Sequence, residues 1–453
     1  MDIMFNTAVL ASDPVRRQQI LSILEAALQA VNPFKAVQSA LHVEKDTLWI
    51  GEHEYMLSNY ENIYVVGAGK ASTPMTQAIE ALVGDRISGG LVVTKSEHGG
   101  PTKRVQLAEA SHPVPDELGV DGGRQVLRIA EAAGQDDLVI TLLSGGGSSL
   151  LVAPAVGLTL DDLQLMTNAL LRCGATINEI NILRKHCSAV KGGQLARAVA
   201  PADLVTLVLS DVIGNPLDVI ASGPTVPDST TWRDAWTIIE RYDLLEQIPM
   251  AILGRIQAGL QGAVPDTPEP GDPLFERSVV EVIGDNRIAA RAAADQAQLL
   301  GFDTLLLTTY LEGEAQEVAK VAVSLAKEIL STHQPLQPPA CLILGGETTV
   351  RLGDDPGRGG RNQELALAAA IALEGIENVT IVSLATDGTD GPTDSAGAMA
   401  DGTTVARGRA EGLSARAHLQ NHDAYPYLDA VHDLLLTGPT QTNVNDLIFV
   451  FVY

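Results

Sequence analysis

The 453-residue chain is short of several things, and each shortage narrows what it can do. It has three cysteines, Cys173, Cys187 and Cys341, an odd number in no C-x-x-C spacing. A disulfide framework or a cysteine-ligated zinc site is therefore not expected, and a reducing compartment is the simpler setting. Aromatic residues make up 4%, too few for a stacking platform along single-stranded nucleic acid. Positive charge is scarce as well: 30 Lys and Arg stand against 56 Asp and Glu, a net −26. So acidic a surface argues against nucleic-acid and membrane partners. It leaves room for an anionic small molecule only where a few cations and helix N-termini build a local positive site. No apolar run approaches a membrane span, and "MDIMFNTAVLASDPVRRQQ" lacks a basic stretch followed by a long apolar one. The expected location is the cytoplasm.

What the chain does have is 45% hydrophobic residues and 42 glycines. Together with the length, this suits two α/β domains rich in tight turns. Short apolar segments such as "NIYVVGAG", "GGLVVTK", "DLVITLLSGGG" and "ADLVTLVLSDV" alternate with amphipathic ones. That alternation predicts a doubly wound, Rossmann-like parallel sheet with helices on both faces. The segment 261–273, "QGAVPDTPEPGDP", reads as the boundary. It predicts a larger domain over 1–262 and a smaller C-terminal α/β domain over 274–453, the latter with separate strands at "ACLILGG" and "ETTVRLG".

Five stretches carry chemistry. In "VVGAGKAS", Val65–Ser72, a strand meets a helix through Gly67 and Gly69, and Lys70 adds a full charge. Backbone N–H groups and the helix dipole at such a turn favour an anion. It is not a P-loop, because the first glycine of that motif would fall on Tyr64. As a dinucleotide fingerprint it is imperfect: Ser72 replaces the third glycine, and the next strand ends in Thr94 and Lys95, with no acid for a ribose. In "LLSGGGSSLL", three glycines in a row follow a buried strand. Ser144, Gly145, Gly146, Gly147 and Ser148 read as a backbone phosphate cradle, the alternative being a tight turn against a packed helix. "INEINILRKHCSAVKGG" concentrates Arg184, Lys185, His186 and Lys191 on a net-acidic chain, either an anion contact or a solvated face. "LGGETTVRLGDDPGRGGRNQELALA" brings Glu347, Arg358, Arg361, Asn362, Gln363 and Glu364 to a glycine-rich helix start. Guanidinium groups there can stabilise a transferring phosphoryl group. Finally, "TDGTDGPTDSAGA" spaces Asp387, Asp390 and Asp394 by three and four. That is not an EF-hand, which needs acids at alternate positions. From local chemistry it is equally a metal loop and a capped turn.

In order along the chain, "VVGAGKAS", "SHPVPDE", "SGGGSSLL", "RKHCSAVKGG", "SDVIGNPLDVIASGPTVPD", "GGETTV", "GRGGRNQELALA", "TDGTDGPTDSAGA" and "LTGPTQTNVNDL" resemble the MOFRL family of glycerate kinases, the class II glycerate 2-kinases. The resemblance spans Tyr64 to Leu447 and departs at Ser111, Cys187 and Gln441, where Gly, Leu and Gly are usual. It implies a two-domain α/β enzyme with an interdomain active site and ATP-dependent, Mg²⁺-assisted phosphorylation of D-glycerate at the 2-hydroxyl. Lys70 and Arg361 match the residues that matter for activity in the family. On that reading the phosphates lie over Gly67, Gly69 and Ser144–Ser148, and Arg184, Lys185, Asn362 and Glu347 contact substrate. Mg²⁺ falls to some of Asp211, Asp218, Asp387 and Asp390, with Asp211 or Asp390 as base. A homodimer is left open. Some family members are called hydroxypyruvate reductase, so NAD(P)H-dependent reduction is the rival enzyme reading. A non-catalytic nucleotide or metabolite sensor is the third.

Overall fold

The computed structural model describes residue 5, residues 13–353 and residues 355–453. The chain forms two units. A middle unit covers Pro33–Ile283, and a terminal unit joins the residues up to Asn32 to Gly284–Tyr453.

The middle unit begins with a small antiparallel meander, β1 (Leu41–Glu44), β2 (Thr47–Ile50) and β3 (His53–Met56). Its main sheet is built from β4 (Asn62–Ala68), β5 (Gly89–Lys95), β6 (Gln106–Ala110), β7 (Asp137–Ser144), β8 (Asp203–Leu209) and β9 (Ser278–Gly284). The strand order is β6-β5-β4-β7-β8-β9, and the five strands from β6 to β8 run parallel. Every residue of β7 is buried, as expected of a central strand covered on both faces. The order reverses at β4: β5 and β6 lie to one side of it, β7 and β8 to the other. In open α/β sheets ligands collect outside the carboxyl ends of the strands at this switch point.

A helical layer carries its own core. Helices Leu160–Arg172, Ile177–His186, Trp232–Arg241 and Met250–Leu260 pack Met166, Leu170, Leu183, Ile238, Ile239 and Ile252 together. Three of them start at reciprocal caps, Thr159 with Asp162, Thr176 with Glu179 and Thr231 with Asp234. In each the threonine hydroxyl accepts from the third N–H and the acid accepts from the threonine N–H.

The terminal unit holds β10 (Asp303–Glu314), β11 (Ala340–Thr349), β12 (Val379–Ala385), β13 (Gly397–Asp401), β14 (Leu434–Leu435) and β15 (Asp446–Val452), in the order β10-β11-β15-β12-β13-β14. Only the β10/β11 pair is parallel. Ala340, Leu342 and Leu344 of β11 face a core shared with helices Ala315–Thr332 and Arg361–Leu373. The intervening Cys341 and Ile343 are equally buried, toward helix Asn286–Leu299, against which helix Pro14–Ala30 packs.

This division corrects the boundary read at 261–273. That segment lies inside the middle unit, because β9, which follows it, pairs with β8. The N-terminal helix belongs with the C-terminal part of the chain. Ile20, Ile23, Leu24 and Leu28 are buried, and Arg16 lies 4.0 Å over the ring of Tyr453. "ACLILGG" and "ETTVRLG" do not give two strands; one strand runs from Ala340 to Thr349. No single helix among the described residues is long and apolar enough to cross a membrane.

Candidate active site

The two glycine turns of the middle unit meet at the switch point. Lys70 N–H donates to Gly145 O at 2.9 Å, and Ala71 N–H donates to Ser144 Oγ at 3.1 Å. The glycines divide into two kinds. A Cβ on Gly67 would sit 2.0 Å from Leu142 O, and one on Gly69 would sit 2.0 Å from Ser144 Oγ. Contact between β4 and the β7 segment thus suffices to explain both, without a ligand. Gly145, Gly146 and Gly147 instead lie against residues of other loops. A Cβ there would meet Asp211 Oδ2 at 2.4 Å, His112 Cδ2 at 2.8 Å and Ala221 Cβ at 3.0 Å respectively. Gly146 also has φ +81°. The helix Gly147–Leu150 closes its first bonds from Ser149 and Leu150 back to Gly146 O. The N–H groups of Gly147 and Ser148, ahead of those bonds, are the donors a helix leaves for other acceptors.

Gly67→Ala and Gly146→Ala therefore separate the two kinds. Gly67→Ala drives a methyl into backbone and is expected to lower stability by about 3 kcal/mol, visible as a fall in the urea midpoint. Gly146→Ala is expected to weaken nucleotide binding more than it lowers that midpoint. Equal losses of stability in the two variants would count against the cradle.

Over this cradle stand Lys70 and His112, and Arg184 is near enough to Lys191, which bonds Ser148 O, to lower its pKa. No hydrogen bond or ion pair joins the Lys70 ammonium to another described side chain; the structure places its Cε 3.5 Å from a Cβ built on Gly146. His112, in the "SHPVPDE" stretch, was not among the site residues drawn from the sequence. Burial, then the positive charges of Lys70 and Lys95, push its imidazole down to about 4, so it is neutral at physiological pH. Arg184 lies largely inside the protein, and burial lowers its pKa. It has no carboxylate partner among the described residues, which suits an anionic ligand.

Other expected contacts have different work here. Lys185 is 3% exposed and bonds Asp228 and Asp218, each at 3.2 Å. It is a buried ion-pair centre, not an open substrate contact, and Asp218 is engaged with it. Lys191, pushed down to about 7 by burial and by Arg184, donates to Ser148 O and Leu151 O at 2.5 and 3.1 Å. It thereby satisfies carbonyls of the short cradle helix. His186 bonds Ile182 O and Asp266. The opposing wall of the cradle contains Ala221 and Ser222, both at positive φ (51° and 62°), with Ser222 Oγ 2.8 Å from Ser148 Oγ. Left-handed non-glycine residues next to each other are uncommon and cluster at functional sites.

In the terminal unit the second group of residues gathers at one edge of the sheet. β11 and β12 end there and antiparallel β15 begins there, with Asp446 opposite both Gly346 and Ala385. Arg361 opens helix Arg361–Leu373. Its Nε and Nη2 donate to Asp446 at 2.6 and 3.0 Å, and its Nη1 donates to Glu347 at 2.6 Å. Burial opposes the guanidinium charge, but Asp446 and Glu347 outweigh it and raise the pKa further. Asp446 itself is pushed up to about 7 by burial, against the pull of Arg361.

Asp390 corrects a sequence expectation. Its carboxylate accepts from Asn362 N, Gln363 N and Asn362 Nδ2 at 3.1, 2.8 and 3.2 Å. Burial raises its pKa. It is the anchor of the helix N-terminus, and it is 2% exposed, so its carboxylate is occupied by that helix rather than presented as a metal ligand or base. A Cβ on Gly360 would lie 2.3 Å from the Asp390 carboxyl carbon, and one on Gly391 would lie 2.4 Å from Gly359 O. The loops "GRGGRNQ" and "TDGTDG" are glycine-rich because they are interlocked. Asn362, expected at substrate, donates to Asp390 and accepts from Ser383 Oγ at 2.6 Å. Asp394 accepts from Tyr425 Oη at 2.7 Å, and Arg358 stacks 3.8 Å over that ring. Glu364 is held by Gln316 and His422. Asp387 bonds Thr389 N through one oxygen, at 3.0 Å.

The fold and these turns define a two-unit α/β protein with a glycine-rich cradle at a Rossmann-like switch point and, in the other unit, an arginine clamped where β15 begins. Comparison with known proteins assigns it further. The family description of a domain of unknown function, DUF4147, matches residues 19–257, and that of the MOFRL family matches residues 340–446. The glycerate 2-kinase of Pyrococcus horikoshii is 41% identical over 95% of this chain and 96% of its own. The D-glycerate 2-kinase of Thermotoga maritima is 42% identical over 94% and 96%. The crystal structure of a Thermotoga maritima glycerate kinase superposes with TM-score 0.88 at 40% identity, over 97% of this chain and 100% of that one. The chain belongs to the MOFRL family of glycerate kinases, phosphotransferases that act on an alcohol group.

Proposed function

We propose that the protein transfers the γ-phosphoryl group of ATP to the 2-hydroxyl of D-glycerate, giving 2-phosphoglycerate, with Mg²⁺ as cofactor. The observation that carries this reading is the meeting of the two glycine turns at the switch point beneath an ammonium, Lys70, that no described carboxylate neutralises. A phosphate chain fits there: Gly147 and Ser148 offer N–H groups, and Lys70 and Arg184 offer charge. Phosphoryl transfer asks the protein mainly for position and charge neutralisation. Lys70 binds a phosphate or the glycerate carboxylate, and Arg361 stabilises the transferring group.

Among the described residues no three His, Cys, Asp or Glu side chains gather into a metal cage. Mg²⁺ commonly needs one or two carboxylates besides phosphate oxygens, and the residues present fit that habit. In the middle unit Asp211, beside Gly145, is the carboxylate that would hold it; in the terminal unit Asp387 keeps one oxygen beyond its turn bond. Bound there, the ion would neutralise charge on the phosphates. The three unpaired cysteines favour the reducing cytoplasm as its setting.

A relative from Agrobacterium vitis, 45% identical over 84% of this chain and 85% of its own, carries hydroxypyruvate reductase as a provisional name. One experiment tests both readings. The protein is incubated with ATP, Mg²⁺ and D-glycerate, and the product is located by ³¹P NMR; in parallel, nicotinamide absorbance is followed with hydroxypyruvate. The expected result is the 2-phosphate with no change in nicotinamide. A 3-phosphate product overturns the regiochemistry, nicotinamide oxidation supports the reductase, and nucleotide binding without turnover leaves a sensor.

A further inference from the structure

Arg361 is held more tightly than an arginine that merely needs a counter-ion. A guanidinium has five N–H donors; three are bound, Nε and Nη2 to Asp446 and Nη1 to Glu347. Five less three leaves two, one on each terminal nitrogen, and the side chain is 33% exposed. Asp446 is 3% exposed, at a costly position for a carboxylate. Its own place is over-determined. It sits in the ladder between β11 and β12, and Asn286 Nδ2 donates to the main-chain oxygens of Val444 and Asp446 at 2.8 and 2.9 Å. Asn286 in turn occupies the space a side chain at Gly345 would take, with Oδ1 1.8 Å from a Cβ built there. Glu347, the second jaw, is steadied by Asn445 Nδ2 at 3.2 Å. Ion pairs at a surface are ordinarily loose. Here two strands, a helix start and a buried amide fix one fork in one plane.

We propose that Asp446, seconded by Glu347, is a positioning residue that holds the Arg361 guanidinium in a fixed plane, so that its two remaining N–H groups meet the transferring phosphoryl group already oriented. The inference rests on the kinase reading above. A planar fork presents paired donors to phosphate oxygens, and a guanidinium free to swing must be ordered during each turnover. The carboxylates do not touch substrate; they act through Arg361.

The test uses the full chain and begins with wild-type turnover of ATP and D-glycerate. Asp446→Asn keeps the shape and removes the charge. It is expected to lower kcat on the order of 10²-fold, the scale of a misplaced catalytic group, while KM for each substrate changes far less. Glu347→Gln, at the exposed jaw, is expected to show the same pattern with a smaller drop, and covers the case in which Asp446→Asn folds poorly. In an Arg361→Ala background neither change is expected to lower kcat further. Full kcat in both single variants, or an undiminished effect of either change in that background, overturns the positioning role. Absence of wild-type turnover overturns the kinase reading instead, and the positioning role with it.

Discussion

Lys70→Ala is expected to leave a folded protein whose kcat/KM for phosphoryl transfer falls on the order of 10²–10³-fold, the loss that follows removal of one preorganised charge-stabilising donor. The fold should survive because no ion pair or hydrogen bond of the ammonium with a described residue supports it. What the backbone of Lys70 does, donating to Gly145 O and accepting from His98, alanine does equally. A second readout checks the placement. Lys70 is one of the charges that depress His112, after burial. The His112 resonance in the variant should therefore titrate above its wild-type value near 4 while staying below that of an exposed histidine. Wild-type kinetics with wild-type His112 titration would remove Lys70 from the site altogether.

Arg361→Ala is the second large effect, and the structure changes what is expected of it. Turnover should fall roughly 10³-fold or more, as for an arginine stabilising a transferring phosphoryl group. The clamp adds a stability cost, because removing the guanidinium leaves buried Asp446 without its partner, a loss worth about 3 kcal/mol. Calorimetry should show a lower Tm for Arg361→Ala, with much of it restored in Arg361→Ala/Asp446→Asn, although activity is not. A Tm equal to that of wild type would mean that Asp446 finds water or another partner. Asp446 protonates more readily once the guanidinium is gone. The deficit should therefore shrink as pH falls from above 7, since a carboxyl group whose folded pKa is raised favours the folded state on acidification.

Much of the site was legible as types of residue at strand ends. Lys70 after a glycine turn, three glycines after a buried strand and an arginine at a helix start each follow from local rules. Lys70 and the three glycines follow strand ends at the switch point of the middle sheet, and Arg361 starts a helix at the end of the terminal sheet where β15 begins. Asp446 and His112 were quoted within motifs but not singled out. Their signal was present, an acid at the start of an apolar strand and a histidine before proline, yet nothing local says which partner each meets. Asp390 was misjudged for the same reason. Its spacing from Asp387 fits a metal loop as well as a cap, and only the approach of Asn362 and Gln363, from 28 and 27 residues earlier, decides the matter.

What the sequence by itself determined is therefore local: alternating strands and helices, the turns that end them, the threonine caps and a surface too acidic for polyanions. Hydrophobic period and turn chemistry act over a few residues and need no knowledge of the rest. The tertiary structure decided the pairings. It joined the N-terminal helix to the C-terminal sheet and drew β9 into the middle unit. It set Lys185 between two aspartates and clamped Arg361 on Asp446, 85 residues away. The physical reason is that a buried charge or an uncovered sheet edge must find a partner, and the chain can supply one from any distance along its length.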